Sequence, residues 1–148
     1  MNAEELMIGD WVYYSSKKHI VQVVGISGIQ YSFNQQDVIL YGDCFKDFDG
    51  RGRWESHTTK SLSPIPLTAE ILEKNGFEMV LDKDILPTYR IKWTRNPNLY
   101  FTVFTGVDCY WNPVGYGVTI AGVNGVIDYV HQLQHALKLC GINKEIAL

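Results

Sequence analysis

The sequence predicts an α+β protein: an N-terminal SH3-like or meander β unit, then a short helix, an antiparallel sheet and a long C-terminal helix packed on it. Three observations carry this. Up to about Ser63 the apolar runs are short and evenly punctuated by turn residues, the pattern of a small antiparallel barrel or meander. Tyr89-Arg90-Ile91-Lys92-Trp93 alternates, with Tyr, Ile and Trp on one face and Arg and Lys on the other, the period of a half-buried strand. Between Val126 and Ile142, the residues Val126, Tyr129, Val130, Leu133, Ala136, Leu137 and Cys140 recur at steps of three and four, which places them on one side of a helix.

Taken in order, Leu6-Met7-Ile8 leads into a Gly9-Asp10 turn, and Trp11–Tyr14, His19–Ile26, Gln30–Phe33 and Val38–Tyr41 read as strands. The opening Ile8-Gly9-Asp10-Trp11-Val12-Tyr13 looks like the first strand of an SH3-like barrel. Gly42 to Arg53 is a polar, glycine-bearing loop, the longest stretch without periodicity. Ser63-Pro64-Ile65-Pro66-Leu67 is extended, because each proline disfavours helix for the residue before it. Thr68 is an N-cap, Glu70 puts negative charge in the first turn, and Asn75-Gly76 ends a short helix on which Phe77 packs back. Phe77–Leu81, Tyr89–Trp93, Leu99–Thr105, Tyr110-Trp111 and Tyr116–Ile120 are the strands that follow, and Gly122 and Gly125 release the chain into the final helix. Gly141 stops that helix by taking the left-handed conformation cheaply, and Ile142 folds back onto Leu137. The organisation expected is a small β-barrel-like unit over 1–63 and an α+β unit over 64–148, either separate or continuous.

Composition bounds the function. The chain has 148 residues and is 46% hydrophobic, enough for a proper core and too apolar for disorder. Aromatics make up 13%, which suits pleated surfaces. A net charge of −3 argues against broad nucleic-acid binding, which needs many cations against phosphate. The acidic start Met1-Asn2-Ala3-Glu4-Glu5 lacks the pattern of a signal peptide, and no apolar run approaches bilayer length, so a cytoplasmic protein without membrane contact is expected. Cys44, Cys109 and Cys140 are far apart and odd in number, fitting neither a disulfide framework nor a paired metal motif; buried reduced thiols are expected.

Three stretches together carry a resemblance: Glu5-Leu6-Met7-Ile8-Gly9-Asp10-Trp11-Val12, the run from Ser63 through Thr68 and Leu72 to Asn75-Gly76-Phe77, and Tyr129-Val130-His131-Gln132-Leu133-Gln134-His135-Ala136-Leu137. The chain resembles a family of small uncharacterised proteins of gut bacteria, their phages and mobile elements. The resemblance implies a cytoplasmic accessory protein and brings no activity to particular residues.

Two constellations are candidate sites. Asp128, His131 and His135 fall within about 60° of one another at 100° per residue, on the arc opposite the apolar stripe, where they are expected to face solvent or a partner. Two histidines four apart bind zinc from one helix, and a carboxylate adds a third ligand. Position 132 is Gln, so the Glu that a zinc protease carries beside its first histidine is missing. Ordinary polar-face residues are the competing account. Arg51, Arg53 and Trp54 are the second constellation, because arginine beside an aromatic stacks on bases and pairs with phosphate; Asp43, Asp47, Asp49 and Glu55 cancel that charge. Trp93, Phe101, Tyr110, Trp111 and Tyr116 either line a pocket or build a sheet face under a helix. No nucleophile pattern or phosphate-cradling glycine loop stands out.

The favoured reading is therefore a non-enzymatic protein-binding or adaptor module of phage or mobile-element origin, with no cofactor, whose partner is another protein or a second copy. A metal-dependent hydrolase using Asp128, His131 and His135 is the alternative, and nucleic-acid binding through the 46–60 loop a further one.

Overall fold

The computed structural model describes residues 5–15, 19–27, 37–42, 54–81, 87–92, 99–107, 113–120 and 123–148. They form an α+β protein dominated by two antiparallel five-stranded sheets. The chain divides into two compact units, Met1–Ile65 and Pro66–Leu148.

The first unit contains β1 (Trp11–Tyr14), β2 (His19–Ser27), β3 (Asp37–Tyr41), β4 (Trp54–Thr58) and β5 (Leu62–Pro64), with a 3-10 turn at Thr59–Ser61 before β5. Strand order is β4-β3-β2-β1-β5, so four strands run as a meander and the fifth returns to pair with the first. The register aligns Val12 with Val21 and Val23 with Leu40, which stacks alternate side chains on one face. Leu6, Val12, Val21, Val23, Val38, Leu40 and Leu62 form the core there, with Tyr14 packed against its rim. Each fully buried aliphatic side chain of this kind is worth about 1.5–3 kcal/mol.

Leu6-Met7-Ile8 leads into a turn, as the sequence predicts. Asp10 is wholly buried, and its Oδ2 accepts from the Met7 N–H at 2.7 Å. Gly9 N–H donates to the Val23 carbonyl and Val23 N–H to the Asp10 carbonyl, at 2.7 and 2.9 Å, so the turn is stitched onto β2. The Ile8-Gly9-Asp10-Trp11 signature is thus a carboxylate-locked turn that feeds β1. A difference lies at 54–60. These residues of the expected 46–60 loop form β4 and, with Ser61, the 3-10 turn, because Tyr41 through Asp37 pair with Trp54 through Thr58. The strand expected at Gln30–Phe33 lies outside the described residues.

In the second unit α1 (Ala69–Lys74) begins where expected: Thr68 is extended and its hydroxyl accepts from the Ile71 N–H at 3.3 Å. It ends on Gly76 at φ 74, with Gly76 N–H donating to Glu73 O and Phe77 N–H to Leu72 O, the paired bonds of a Schellman cap. The sheet follows as β6 (Glu78–Val80), β7 (Thr88–Lys92), β8 (Tyr100–Val107), β9 (Pro113–Ile120) and β10 (Val123–Val126), paired in chain order. Tyr89, Phe101, Val103 and Val118 are buried on one face. Phe77 meets Phe101 edge-on at 6.3 Å and Tyr89 meets Tyr116 edge-on at 6.2 Å. Phe101 and Tyr116 are therefore sheet-face packing; Trp93, Tyr110 and Trp111 lie outside the described residues.

The C-terminal helix α2 runs Val130–Leu139, shorter than the expected span. Val126 belongs to β10, pairs with Gly117 and is 72% exposed, so the sheet claims the residues that helical periodicity assigned to the first turn. Gln132 Oε1 accepts from the backbone N–H groups of Asp128 and Tyr129, at 2.8 and 3.2 Å, closing the helix start. At the other end Gly141 takes φ 69, its N–H donates to Lys138 O and Ile142 N–H donates to Leu137 O. Ile142 is buried, as the sequence predicts. Among the described residues no helix is long and apolar enough to cross a membrane.

Candidate functional site

In the first unit the end of β1 and the 3-10 turn enclose a cleft of about 260 Å³, lined by Tyr14, Ser15, Lys60, Ser61 and Ser63. Its shape follows from local chemistry. Tyr14 pairs in register with both His19 and Leu62, which fixes the exit of β1 beside the entry of β5. Ser15 then turns the chain with φ 55, a left-handed conformation that a residue with a Cβ adopts at some cost. Its N–H donates to the Ser61 carbonyl at 3.2 Å, so the strained residue is tied directly to the 3-10 turn.

The Tyr14 phenol is held from behind. Its oxygen lies 3.3 Å from His57 Nδ1, and the two rings sit 4.5 Å apart, tilted by 50°. His57 stands opposite the fully buried Val38, and Tyr14 packs against the same core while lining the cleft. Lys60 is exposed on the turn. Among the described residues the lining supplies one aromatic, one cation and three serine hydroxyls. Hydroxyls both donate and accept, while an ammonium only donates, so the cleft is built to hydrogen-bond polar groups rather than to hold an apolar ligand.

The structure places the sequence-derived candidates elsewhere. His131, expected on the solvent side of α2, is 3% exposed, and Gln134 is 6% exposed. The helix buries these residues as well as its apolar stripe, so a projection with one wet face does not describe it. The His131 ring stacks on Tyr129, 5.8 Å apart and 9° from parallel, and meets His135 edge-on at 5.8 Å. Asp128 is exposed, ahead of the helix, and its Oδ1 lies over the Cα of Gly115, where an added Cβ would come within 2.4 Å. Among the described residues no group of three or more His, Cys, Asp or Glu side chains is arranged to hold a metal ion. Arg51 and Arg53 lie outside the described residues, and Trp54 is described only as the first residue of β4. Cys140 is a buried free thiol whose pKa burial pushes up, the opposite of an activated nucleophile.

The cleft itself had little sequence signal. Its two sides come from residues separated by three strands, and none of them belongs to a chemical motif. No family model matches the chain, and neither a curated protein nor a solved structure matches it.

Proposed function

We propose that the chain is a non-enzymatic binding module whose first unit is an SH3-like barrel that takes an extended segment of a partner protein in the cleft at Tyr14, Ser15, Lys60, Ser61 and Ser63. Support for the barrel is the strand order β4-β3-β2-β1-β5 with a 3-10 turn between β4 and β5. That connection brings the last strand back to the first, which is how SH3-like barrels close. The observation that carries the binding reading is the cleft lining: a positioned phenol and a ring of hydrogen-bonding groups at the junction of a strained turn and the 3-10 turn. Peptide-recognition modules of this size use such aromatic-edged grooves, because extended segments offer backbone donors and acceptors at low ordering cost. The resemblance to small accessory proteins of gut bacteria and their phages fits an adaptor acting inside the cell.

Panning a display library of extended peptides against the full chain tests this. Binders are expected that lose affinity at least tenfold on Tyr14→Ala and are unaffected by Leu139→Ala, on an exposed helix position. A library that yields no binder, or binders indifferent to Tyr14, overturns the reading.

A further inference from the structure

We infer that Asn75-Gly76 is a self-modification site gated by the segment Ile142–Leu148: while the segment is docked the Asn75 carboxamide is kept from deamidation, and once it reacts the segment is released permanently. Asparagine followed by glycine is prone to this chemistry, because no side chain on the second residue shields its amide nitrogen. The chain has two such dipeptides, Asn75-Gly76 and Asn124-Gly125. In the reaction the Gly76 nitrogen attacks Asn75 Cγ. The N–Cγ bond forms, the Cγ–Nδ2 bond breaks, and the proton lost by Gly76 leaves with Nδ2 as ammonia. Water then opens the cyclic imide at either carbonyl, giving aspartate or isoaspartate. Solvent water is the one co-reactant.

Three features of the docked state keep the reacting atoms apart. Asn75 sits at φ −91, ψ 16, whereas ring closure needs the Gly76 nitrogen eclipsed with Asn75 Cβ about the Cα–C bond. The Gly76 N–H donates to the Glu73 carbonyl at 2.9 Å, which commits the nucleophile to the helix cap. The carboxamide is held on both sides: Nδ2 donates to the Ile71 and Ala147 carbonyls, and Oδ1 accepts from the Ala147 N–H, all at 2.8 Å. Two of these three bonds belong to Ala147, so the carboxamide is free to turn toward Gly76 only when the segment lifts. Ile142 and Ile146 are buried, and Lys74 donates to the Leu148 backbone oxygen, so the segment is seated by its neighbours as well. Local opening of such a stretch, without global unfolding, is the event that exposes the site.

The product does not restore the contact. A carboxylate only accepts, so an oxygen replaces the donor that faced the Ile71 and Ala147 carbonyls. Asn75 is 4% exposed, and a charge there without donors is costly to bury. Isoaspartate further lengthens the backbone by one carbon within the cap.

The test follows deamidation at each site by peptide mapping of the full chain, aged in mildly alkaline buffer as wild type, Ile146→Asp and Ala147→Pro. The first variant unseats a buried anchor; the second removes the Ala147 N–H at an exposed position and spares the core. Both are expected to speed the reaction at Asn75 by at least about tenfold and to leave Asn124, on β10, at its wild-type rate. Unchanged rates at Asn75 in Ala147→Pro overturn the gating. A rise by the same factor at Asn75 and Asn124 in both variants marks ordinary unfolding and overturns it too. Hydrogen exchange on Asn75→Asp reads the consequence: faster exchange at Ile146 and Ala147, with the sheet amides unchanged, is expected, and wild-type protection of Ala147 overturns the release.

Discussion

The carboxamide of Asn75 faces the peptide group of Ala147 as one strand faces another. Its Nδ2 donates to the Ala147 carbonyl and its Oδ1 accepts from the Ala147 N–H, both at 2.8 Å. Nδ2 also donates to the Ile71 carbonyl at 2.8 Å, and the side chain is buried. Ile142 and Ile146 are buried on the same segment, and Lys74 donates to the Leu148 backbone oxygen. A residue that ends α1 is therefore also the receptor for the chain after α2. Asn75→Leu leaves buried backbone groups without partners and is expected to lower unfolding free energy by roughly 2–4 kcal/mol. Urea denaturation followed by tryptophan fluorescence reads the loss, and hydrogen exchange at Ala147 should rise with it.

A second relationship lies across two strands. Phe104 pairs directly with Gly117, and its ring occupies the space where a Cβ at 117 would fall, within 2.4 Å of Cε2 and Cζ. Glycine is needed there for close approach, since the ring covers the backbone. Gly117→Ala is expected to cost about 1–3 kcal/mol through overpacking. The cost should shrink in a Phe104→Ala background, and a double-mutant cycle gives the coupling. Additive losses contradict the contact.

Alkaline pH tests the core of the second unit. Burial raises the pKa of Tyr89, helped by the charge of Glu73, and burial likewise raises that of Tyr116, with Tyr89 and Glu73 adding to it. Unfolded phenols then ionise first. Stability from these groups is fully present below the unfolded tyrosine value of about 10 and declines as pH rises through the higher folded values. Absorbance at the tyrosinate band should show Tyr89 and Tyr116 titrating late, with unfolding accompanying them. Phenylalanine at both positions should abolish the late phase.

The two helix histidines should differ. His131 is buried against Tyr129, while His135 is half-buried. His131→Lys places a charge at a buried position and is expected to cost about 3–5 kcal/mol, against less than about 1 kcal/mol for His135→Lys. Thermal melts separate the two. Calorimetric titration of the wild type with zinc should give no binding heat; a heat lost in His135→Ala would restore the metal reading of this helix.

What the sequence makes legible is what local chemistry decides. Thr68, Gly76 and Gly141 mark helix ends because capping depends on a few adjacent residues, and each does so in the structure. The alternation of Tyr89-Arg90-Ile91-Lys92 survives as β7 for the same reason. The spacing of Val126 fits the helix, yet pairing with Gly117 decides its place, and pairing is not local. The polar run of β4 carries no strand signal of its own and is drawn into the sheet by β3. A helical projection assumes one buried side and so turns His131 to solvent, whereas the residue is buried. Gln132 is the N3 acceptor of a capping box once Tyr129 is taken as N-cap, a signal that adjacent residues carry. The cleft needed the fold, since Tyr14 and Lys60 meet only through β5.

The proposed binding of a partner segment by the first unit, at the Tyr14–Lys60 cleft, is open to a direct test. Amide shift mapping of the full chain with a display-selected peptide tests it most directly. The account predicts perturbations centred on Tyr14, Ser15, Lys60, Ser61 and Ser63, lost in Tyr14→Ala. Perturbations confined to Pro66–Leu148, or a map unchanged by Tyr14→Ala, contradict it.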